Sequence, residues 1–286
     1  MSQIDDLPPL RDVIAAFDLN AKKSLGQNFL LDLNLTTKIA KAAGPLEGVT
    51  VVEVGPGPGG LTRALLALGA KKVIAIEKDR RAIAALQQIS AHYPSRLEII
   101  EGDALEFDMA AHLQGEPARI IANLPYNIAT PLLTGWLTKT KWPPWYDSMV
   151  LMFQKEVAMR IAAPPGNKVY GRLSVLVQAL CDVKLVFDVP PQAFVPAPKV
   201  TSSVVWFKPK PEAGDVPREV LQDVTRAAFG QRRRMLRVSL KQLSPVSEQW
   251  LSTANLSPEL RAEQIQVSDF IKLSMMKTAY EFDQEK

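Results

Sequence analysis

The tetrapeptide Asn123-Leu124-Pro125-Tyr126 comes directly after a predicted strand and contains the best candidates for catalytic groups in this sequence. An amine conjugated to a purine ring is a poor nucleophile, because its lone pair is delocalised. Two acceptors aimed at its two N–H groups would draw the nitrogen towards tetrahedral geometry and free that lone pair. The Asn123 amide oxygen and a backbone carbonyl can supply this pair of acceptors.

The proline and the tyrosine of this tetrapeptide support the same interpretation. Pro125 fixes its own φ and keeps Leu124 extended, so the carbonyl groups of the turn have fixed directions. Tyr126 offers a flat face on which a base can stack. Asparagine and proline are also common in ordinary turns, so the tetrapeptide alone is compatible with a simple strand end.

A glycine-rich turn, VVEVGPGPGGLT, lies upstream between a predicted strand and a predicted helix. Gly55, Gly57 and Gly60 have the G-x-G-x-x-G spacing, in which the backbone can turn tightly and approach a nucleotide-like ligand. A tight turn without any ligand is the simpler alternative. Carboxylates at the next two predicted strand ends favour a ligand, because Glu77 can accept ribose hydroxyls and Asp103 can accept an adenine amino group.

Two cofactors are compatible with this pattern. A nicotinamide dinucleotide would use the glycine turn and Glu77 in the same way. Asp103 is not part of that fingerprint, however, and Glu53, just before the first glycine, would repel a pyrophosphate. Glu53 can instead receive the methionyl ammonium of S-adenosylmethionine (SAM). The pattern therefore favours SAM and methyl transfer, and the sequence has no spacing of metal ligands.

Alternating strand and helix patterns must position these residues, as in parallel βαβ units. The last two predicted strands are too close in sequence for a parallel crossover, so we expect an antiparallel pair at the sheet edge. The predicted fold class is α/β, with the Rossmann-like seven-stranded sheet of class I SAM-dependent methyltransferases. The predicted strands are Thr50–Val54, Lys72–Glu77, Leu97–Glu101, Arg119–Ala122, Ser148–Phe153, Val183–Val189 and Ser202–Phe207.

Residues 208–217 have the Pro-rich polar composition of a linker, and the sequence after them is helical in pattern. We therefore predict a SAM-binding catalytic domain over residues 1–210 and a small helical RNA-binding domain over residues 211–286. The predicted helices of the second domain are Glu219–Phe229, Arg233–Lys241, Ser247–Ala254, Pro258–Gln264 and Ser268–Phe282.

The second of these predicted helices carries a cluster of cations. At helical spacing, Arg233, Arg237 and Lys241 would form one stripe, and Met235 would face the core. A charge run is usually a solvated face, but few acids offset this one, which favours contacts with RNA phosphates. The candidate RNA-binding residues are Arg232, Arg233, Arg234, Arg237 and Lys241.

Composition limits the class of protein only loosely. The net charge of +4 is compatible with a nucleic-acid partner but does not require one. The acidic N-terminus is untypical of a targeting peptide, and no run of about 18 apolar residues predicts a membrane span. The single cysteine, Cys181, cannot form an internal disulfide, so we expect a cytoplasmic protein. We also expect a monomer, since no helix has an obvious extra apolar face.

Together, these motifs resemble the ribosomal RNA adenine dimethyltransferase family, and most closely its bacterial small-subunit branch. Large-subunit resistance methyltransferases and mitochondrial relatives share the motifs more loosely. The resemblance extends from about residue 22 to the end of the chain. It rests on LGQNFL, EVGPGPGGLT, IEKD, EGDAL, NLPYNIATPLL, YGRLSV and FVPAPKVTSSVV.

The resemblance implies methyl transfer from SAM to the N6 of two adjacent adenosines near the 3′ end of small-subunit rRNA. The products would be N6,N6-dimethyladenosine and S-adenosylhomocysteine, no metal would be needed, and the partner would be the immature small subunit. Two alternatives stay open at this point. One is a large-subunit rRNA methyltransferase that confers antibiotic resistance, and the other is an assembly factor whose catalysis is dispensable.

The resemblance also implies roles for particular residues. Asn28 and Leu30 would close the site over SAM, and Asn123 would contact both the cofactor and the target amine. Tyr126 and Phe194 would sandwich the target adenine; a core position is the simpler alternative for Phe194, but the resemblance favours stacking. The candidate cofactor-binding residues are Asn28, Leu30, Glu53, Gly55, Gly57, Glu77, Asp103 and Asn123.

Overall fold

The computed structural model describes residues 5–22 and 26–284, so Leu25, the first residue of the LGQNFL motif, lies outside the described residues. The chain forms two compact units. The first comprises the residues up to 158 together with 184–208, and the second comprises 159–183 with 209–286. The sequence predicted a single boundary after residue 210. The chain instead enters the second unit twice, because segment 159–183 packs with the C-terminal helices.

In the described residues, seven strands form one sheet and two short strands form a separate ribbon. The strands are β1 (Phe29–Leu30), β2 (Thr50–Val54), β3 (Lys72–Glu77), β4 (Leu97–Glu101), β5 (Ala118–Ala122), β6 (Tyr146–Gln154), β7 (Cys181–Val189), β8 (Phe194–Val195) and β9 (Ser202–Pro209). The order in the large sheet is β4-β3-β2-β5-β6-β9-β7. Strands β2 to β6 pair in parallel and β9 pairs antiparallel with β6.

This sheet confirms the predicted α/β fold class. Each predicted strand is found, with ends that differ by at most two residues. All five residues of β2 are buried, as expected for a central parallel strand with helices on both faces.

Two helices of the first unit begin after an aspartate that caps them. The Asp79 side chain accepts the Arg81 N–H as an N-cap, and Asp32 does the same for Asn34. The helices are α1 (Leu10–Ala16), α2 (Leu33–Lys41), α3 (Gly60–Ala67), α4 (Arg80–His92), α5 (Met109–Leu113), α6 (Tyr126–Lys139) and α7 (Lys155–Ile161), the last of which continues into the second unit.

The β1–β8 ribbon joins the N-terminal segment to the first unit. Leu30 is opposite Phe194 and Phe29 is opposite Val195. Leu30 and Phe194 are both buried in one hydrophobic core cluster of this unit, together with side chains of α2 and α3. The segment before α2 is therefore held by backbone pairing as well as by apolar burial.

The second unit is helical and has an aromatic centre. The Phe229 ring packs against Tyr170 at 5.9 Å and against Phe270 at 5.5 Å between ring centroids. Tyr170 is fully buried, which explains why the loop that carries it belongs to this unit. The helices are α8 (Arg172–Leu180), α9 (Arg218–Gly230), α10 (Leu236–Ser239), α11 (Ser247–Thr253) and α12 (Val267–Gln284).

Two predicted C-terminal helices are wrong. Residues 231–234 form a turn, and α10 begins only at Leu236, whose N–H donates to the Leu260 carbonyl at 2.7 Å. This long-range bond fixes where the helix begins. The cations therefore do not form one helical stripe. Met235, which was predicted to face the core, is 38% exposed. The segment predicted as helix Pro258–Gln264 is a turn followed by a single 3-10 turn, Ala262–Gln264.

No helix within the described ranges is both long enough and apolar enough to cross a membrane.

A buried ion pair joins Asp5 to Arg63 of α3. Arg63 Nε donates to the Asp5 carboxylate at 3.0 Å, and Arg63 Nη1 donates to the Pro8 carbonyl at 2.7 Å. Both charged side chains are only 2% exposed. Since α3 follows the glycine turn, this pair stabilises the helix on which the turn ends.

Removal of this carboxylate should destabilise the protein strongly. Asp5→Ala leaves the Arg63 guanidinium buried without its counter-charge, and we expect a loss of about 3 kcal/mol in the free energy of unfolding. Urea unfolding followed by circular dichroism measures the loss. Glu101→Ala is the control, because its partner Arg80 is 85% exposed and such pairs contribute little. Equal midpoints for the two variants would contradict the prediction.

Candidate active site

A cavity lies at the carboxyl ends of the central parallel strands, where open α/β sheets bind ligands. It brings together residues from five separate parts of the sequence. The predicted site residues that line it are Asn28, Leu30, Glu53, Gly55, Gly57, Glu77, Asp103, Asn123, Leu124, Pro125 and Tyr126. Phe194 does not line this cavity.

The glycine turn needs its glycines for two reasons. Gly55, Gly57 and Gly59 have φ values of 68°, 55° and 86°, which favour residues without a side chain. A Cβ on Gly57 would also lie 2.9 Å from the Phe29 ring. The third glycine of the predicted spacing, Gly60, has a negative φ and begins α3, but its Cβ would lie 2.9 Å from the Leu30 carbonyl oxygen.

Glu77 is the best-anchored carboxylate of the cavity. Its side chain accepts N–H groups from Gly57 at 3.1 Å and from Lys78 and Asp79 at 2.8 Å each. Burial raises the pKa of Glu77, while the three N–H donors stabilise the ionised form. The bond to Gly57 links the end of β3 to the glycine turn, so the two predicted ligand-binding elements position each other.

Glu53 has a different environment. It is 1% exposed, and its carboxyl group accepts the Thr62 hydroxyl at 2.6 Å. Burial is the main cause that raises the pKa of Glu53 to about 8; the hydrogen bond from Thr62 opposes this shift, and the charge of the nearby Glu77 adds to it. Glu53 is therefore mostly protonated at neutral pH, and a cation placed beside it would favour the charged form.

Asp103 is an ionised carboxylate at the end of β4. Lys78 Nζ donates to it at 2.9 Å, and the Leu105 N–H donates at 3.0 Å. The bond from Lys78 lowers the pKa of Asp103. Each oxygen keeps a free lone pair, so a further donor can still bind.

Asn123 has a fixed orientation. Its Nδ2 donates to the Asn28 carbonyl at 3.3 Å. Because only the NH₂ end of an amide can donate to a carbonyl, this bond leaves Oδ1 as the group that can accept a ligand N–H. The predicted role of the Asn123 amide oxygen needs this orientation.

Tyr126 lines the cavity at the start of α6, directly after Pro125. Its hydroxyl lies 2.5 Å from the Ser202 hydroxyl. Phe194, its predicted partner in a sandwich, is 2% exposed and belongs to the hydrophobic core. Phe194 therefore packs in the core opposite Leu30, outside the lining of the described cavity, and the stacking roles of Tyr126 and Phe194 stay predictions.

Sequence reasoning missed several residues of the site. Gln27 and Phe29 line the cavity, and Gln27 Nε2 donates to Asp79 at 3.1 Å. Lys78 also lines it, and Ser202 holds Tyr126. All four lie inside the motifs GQNFL, IEKD and FVPAPKVTSS, but their long-range contacts leave no local pattern.

The predicted RNA-binding cations lie in the second unit. Arg232 pairs with Glu263 at 2.8 Å, which neutralises part of the run. The other four, Arg233, Arg234, Arg237 and Lys241, are exposed. Among the described residues, no group of three or more potential metal ligands comes together.

The sequence and the fold are both similar to those of known proteins. The sequence matches the family "Ribosomal RNA adenine dimethylase" over residues 18–279. A ribosomal RNA small subunit methyltransferase A from Rhodopseudomonas palustris is 62% identical over 274 residues, 96% of each chain. The structure of a dimethyladenosine transferase from Plasmodium falciparum is 28% identical, with a TM-score of 0.71 over 85% of this chain and 95% of that one.

A further solved structure, the 23S rRNA methyltransferase ErmE, has the same fold, at 23% identity and a TM-score of 0.68 over 88% of this chain and 100% of that chain. The family match covers most of the chain, and the cavity holds the predicted glycine turn, carboxylates and Asn123 together. The protein belongs to the ribosomal RNA adenine dimethylase family.

Proposed function

We propose that this protein transfers methyl groups from SAM to the N6 of two adjacent adenosines near the 3′ end of small-subunit rRNA, during small-subunit biogenesis. The observation that carries the proposal is the Asn123 amide, held with its oxygen free in a cavity that contains three carboxylates. The relative at 62% identity is named for the small subunit, whereas the 23S rRNA enzyme is only 23% identical. The small-subunit substrate is therefore preferred over the large-subunit alternative.

The donor set of the cavity fits SAM. When bound, SAM supplies an electrophilic methyl group on a positively charged sulfur. Glu77 would accept the ribose hydroxyls, Asp103 the adenine amino group, and Glu53 the ammonium group. Gly55 and Gly57 leave the backbone open to the methionine part.

The segment that contains β1 would cover this ligand. Asn28 and Leu30 line the cavity from β1 and the residues before it. Leu30 is fixed by its pairing with Phe194, so the cover depends on the β1–β8 ribbon. A closed cover excludes water, which strengthens hydrogen bonds inside the site.

The residues of the tetrapeptide would act on the target amine. Asn123 Oδ1 and a peptide carbonyl of the same turn accept its two N–H groups, which draws the nitrogen out of conjugation. Tyr126 holds the base by stacking. After transfer, the nitrogen loses a proton to water or to a carbonyl, so no histidine is required.

The target base must leave any stack to reach Asn123, at a cost of a few kcal/mol. That cost is small in a single-stranded loop, which favours an rRNA hairpin loop as the substrate. The second domain predicted from the sequence, residues 211–286, would bind this RNA through the exposed cations around α10. We further propose that the protein acts as a monomer in the cytoplasm, with no metal.

Loss of the amide oxygen should abolish catalysis without loss of the fold. Asn123→Ala is expected to lower kcat at least about 100-fold, as for other transition-state hydrogen-bond groups. The assay uses labelled SAM and small subunits that lack the modification, and counts N6,N6-dimethyladenosine by mass spectrometry. Asn34→Ala, which removes an exposed amide, is the control and should keep full activity.

Two results would overturn the proposal: a wild-type protein that makes no N6,N6-dimethyladenosine, or an Asn123→Ala variant that remains active. Primer extension across both rRNAs identifies the modified subunit. If the inactive variant still binds immature subunits and supports their assembly, catalysis is the dispensable part of the function.

Binding of SAM should release protons at neutral pH. Because the pKa of Glu53 is about 8 in the unliganded cavity, most Glu53 carboxyls are protonated at pH 7. An ammonium group beside Glu53 favours the carboxylate, so binding is expected to release most of one proton per SAM. Calorimetry at pH 7 in buffers of different ionisation enthalpy measures this number. The Glu53→Gln variant should release far fewer protons on binding SAM. The Glu116→Gln variant, changed at an exposed site, should match the wild type. Equal proton release by the wild type and both variants would refute the pairing of Glu53 with the ammonium group.

The exposed cations of the second unit should contribute to RNA affinity and its salt dependence. The double variant Arg233→Ala/Arg237→Ala is expected to weaken binding to unmodified small subunits. The negative slope of log K against log salt should become shallower by about 0.7–0.9 for each lost phosphate contact. Arg226→Ala is the matched control, because Asp223 already pairs with this exposed arginine at 3.0 Å. An unchanged slope in the double variant would exclude these arginines from the RNA interface.

A further inference from the structure

A hydrogen bond connects the cavity to the start of β9. Tyr126 begins α6, and its half-buried ring lines the cavity. Its hydroxyl lies 2.5 Å from that of Ser202, a residue 76 positions away that is fully buried. A buried tyrosine hydroxyl needs such a partner, and Ser202 is the partner that this site provides.

This bond matters because Phe194, the second ring predicted to hold the base, does not line the described cavity. A base that stacks on one ring is aligned only as well as the plane of that ring. The two side-chain torsions of a tyrosine leave this plane free to tilt. Pro125 constrains the backbone end of Tyr126, and the bond to Ser202 constrains the far end of its ring.

Ser202 is itself rigidly held. It pairs with Gln154 at the first position of β9, and the Lys155 N–H donates to the Thr201 carbonyl at 2.9 Å. The next residue, Ser203, donates from its hydroxyl to Asp188 at 2.6 Å. Because successive side chains of a strand point to opposite faces, Ser202 faces Tyr126 while Ser203 faces Asp188.

We infer that Ser202 is a positioning residue, which holds the Tyr126 ring in the plane on which the target adenine stacks. Ser202 does not touch the substrate and acts only through the tyrosine. This inference rests on the proposed function, since it needs a base to be held in the cavity.

A double-mutant cycle tests the inference. Ser202→Ala and Tyr126→Phe each remove the same bond, and each should lower kcat about threefold to tenfold, the effect of one neutral hydrogen bond. The double variant should be no slower than either single variant, and KM for SAM should stay unchanged. Tyr126→Phe leaves β9 intact, so the test does not depend on the folding of the Ser202 variant.

Ser203→Ala is the matched control, because it removes the same group from the neighbouring position on the other face. Its kcat should equal that of the wild type, even if its melting temperature falls. The inference is overturned if Ser202→Ala is as active as Ser203→Ala, or if the effects of Ser202→Ala and Tyr126→Phe multiply. A wild-type protein without any dimethyladenosine product would instead refute the proposed function itself.

Discussion

The site depends on one hydrogen bond, from the Asn123 side chain to the Asn28 carbonyl. An asparagine amide can present either its donor or its acceptor end, and only the acceptor end can bind an amine N–H. The partner of this bond lies 95 residues away, so the N-terminal segment must be docked before Asn123 is oriented. Phe29 against Gly57 and Leu30 opposite Phe194 provide that docking.

A second constraint is the presence of three carboxylates in one cavity. Their mutual repulsion would be costly if all three were charged and unpaired. Each is accommodated differently: Glu53 by protonation, Glu77 by three N–H donors, and Asp103 by Lys78. These differences separate the predicted roles, since a ligand cation suits Glu53, while ligand donors suit the two carboxylates that already accept hydrogen bonds from the protein.

The sequence predicted the parts of the fold that local pattern decides. Strand periodicity located β2, β3 and β4, and their ends correctly placed Glu77 and Asp103 at the cavity. It failed where a distant contact decides, because α10 begins only at Leu236, whose N–H donates to the Leu260 carbonyl. The pairing of Phe194 with Leu30 is also a contact between residues far apart in sequence, which leaves no local pattern. The stacking role of Phe194 stays a prediction.

The loop between β8 and β9 is flanked by two residues that contact the lining of the cavity. At one end, Phe194 is opposite Leu30, a residue that lines the cavity. At the other end, Ser202 holds Tyr126. Both ends of this loop are therefore tied to residues that line the cavity. The cover over the cofactor position and the stacking face for the base therefore depend on one segment, FVPAPKVTSS, although no side chain of that segment lines the cavity.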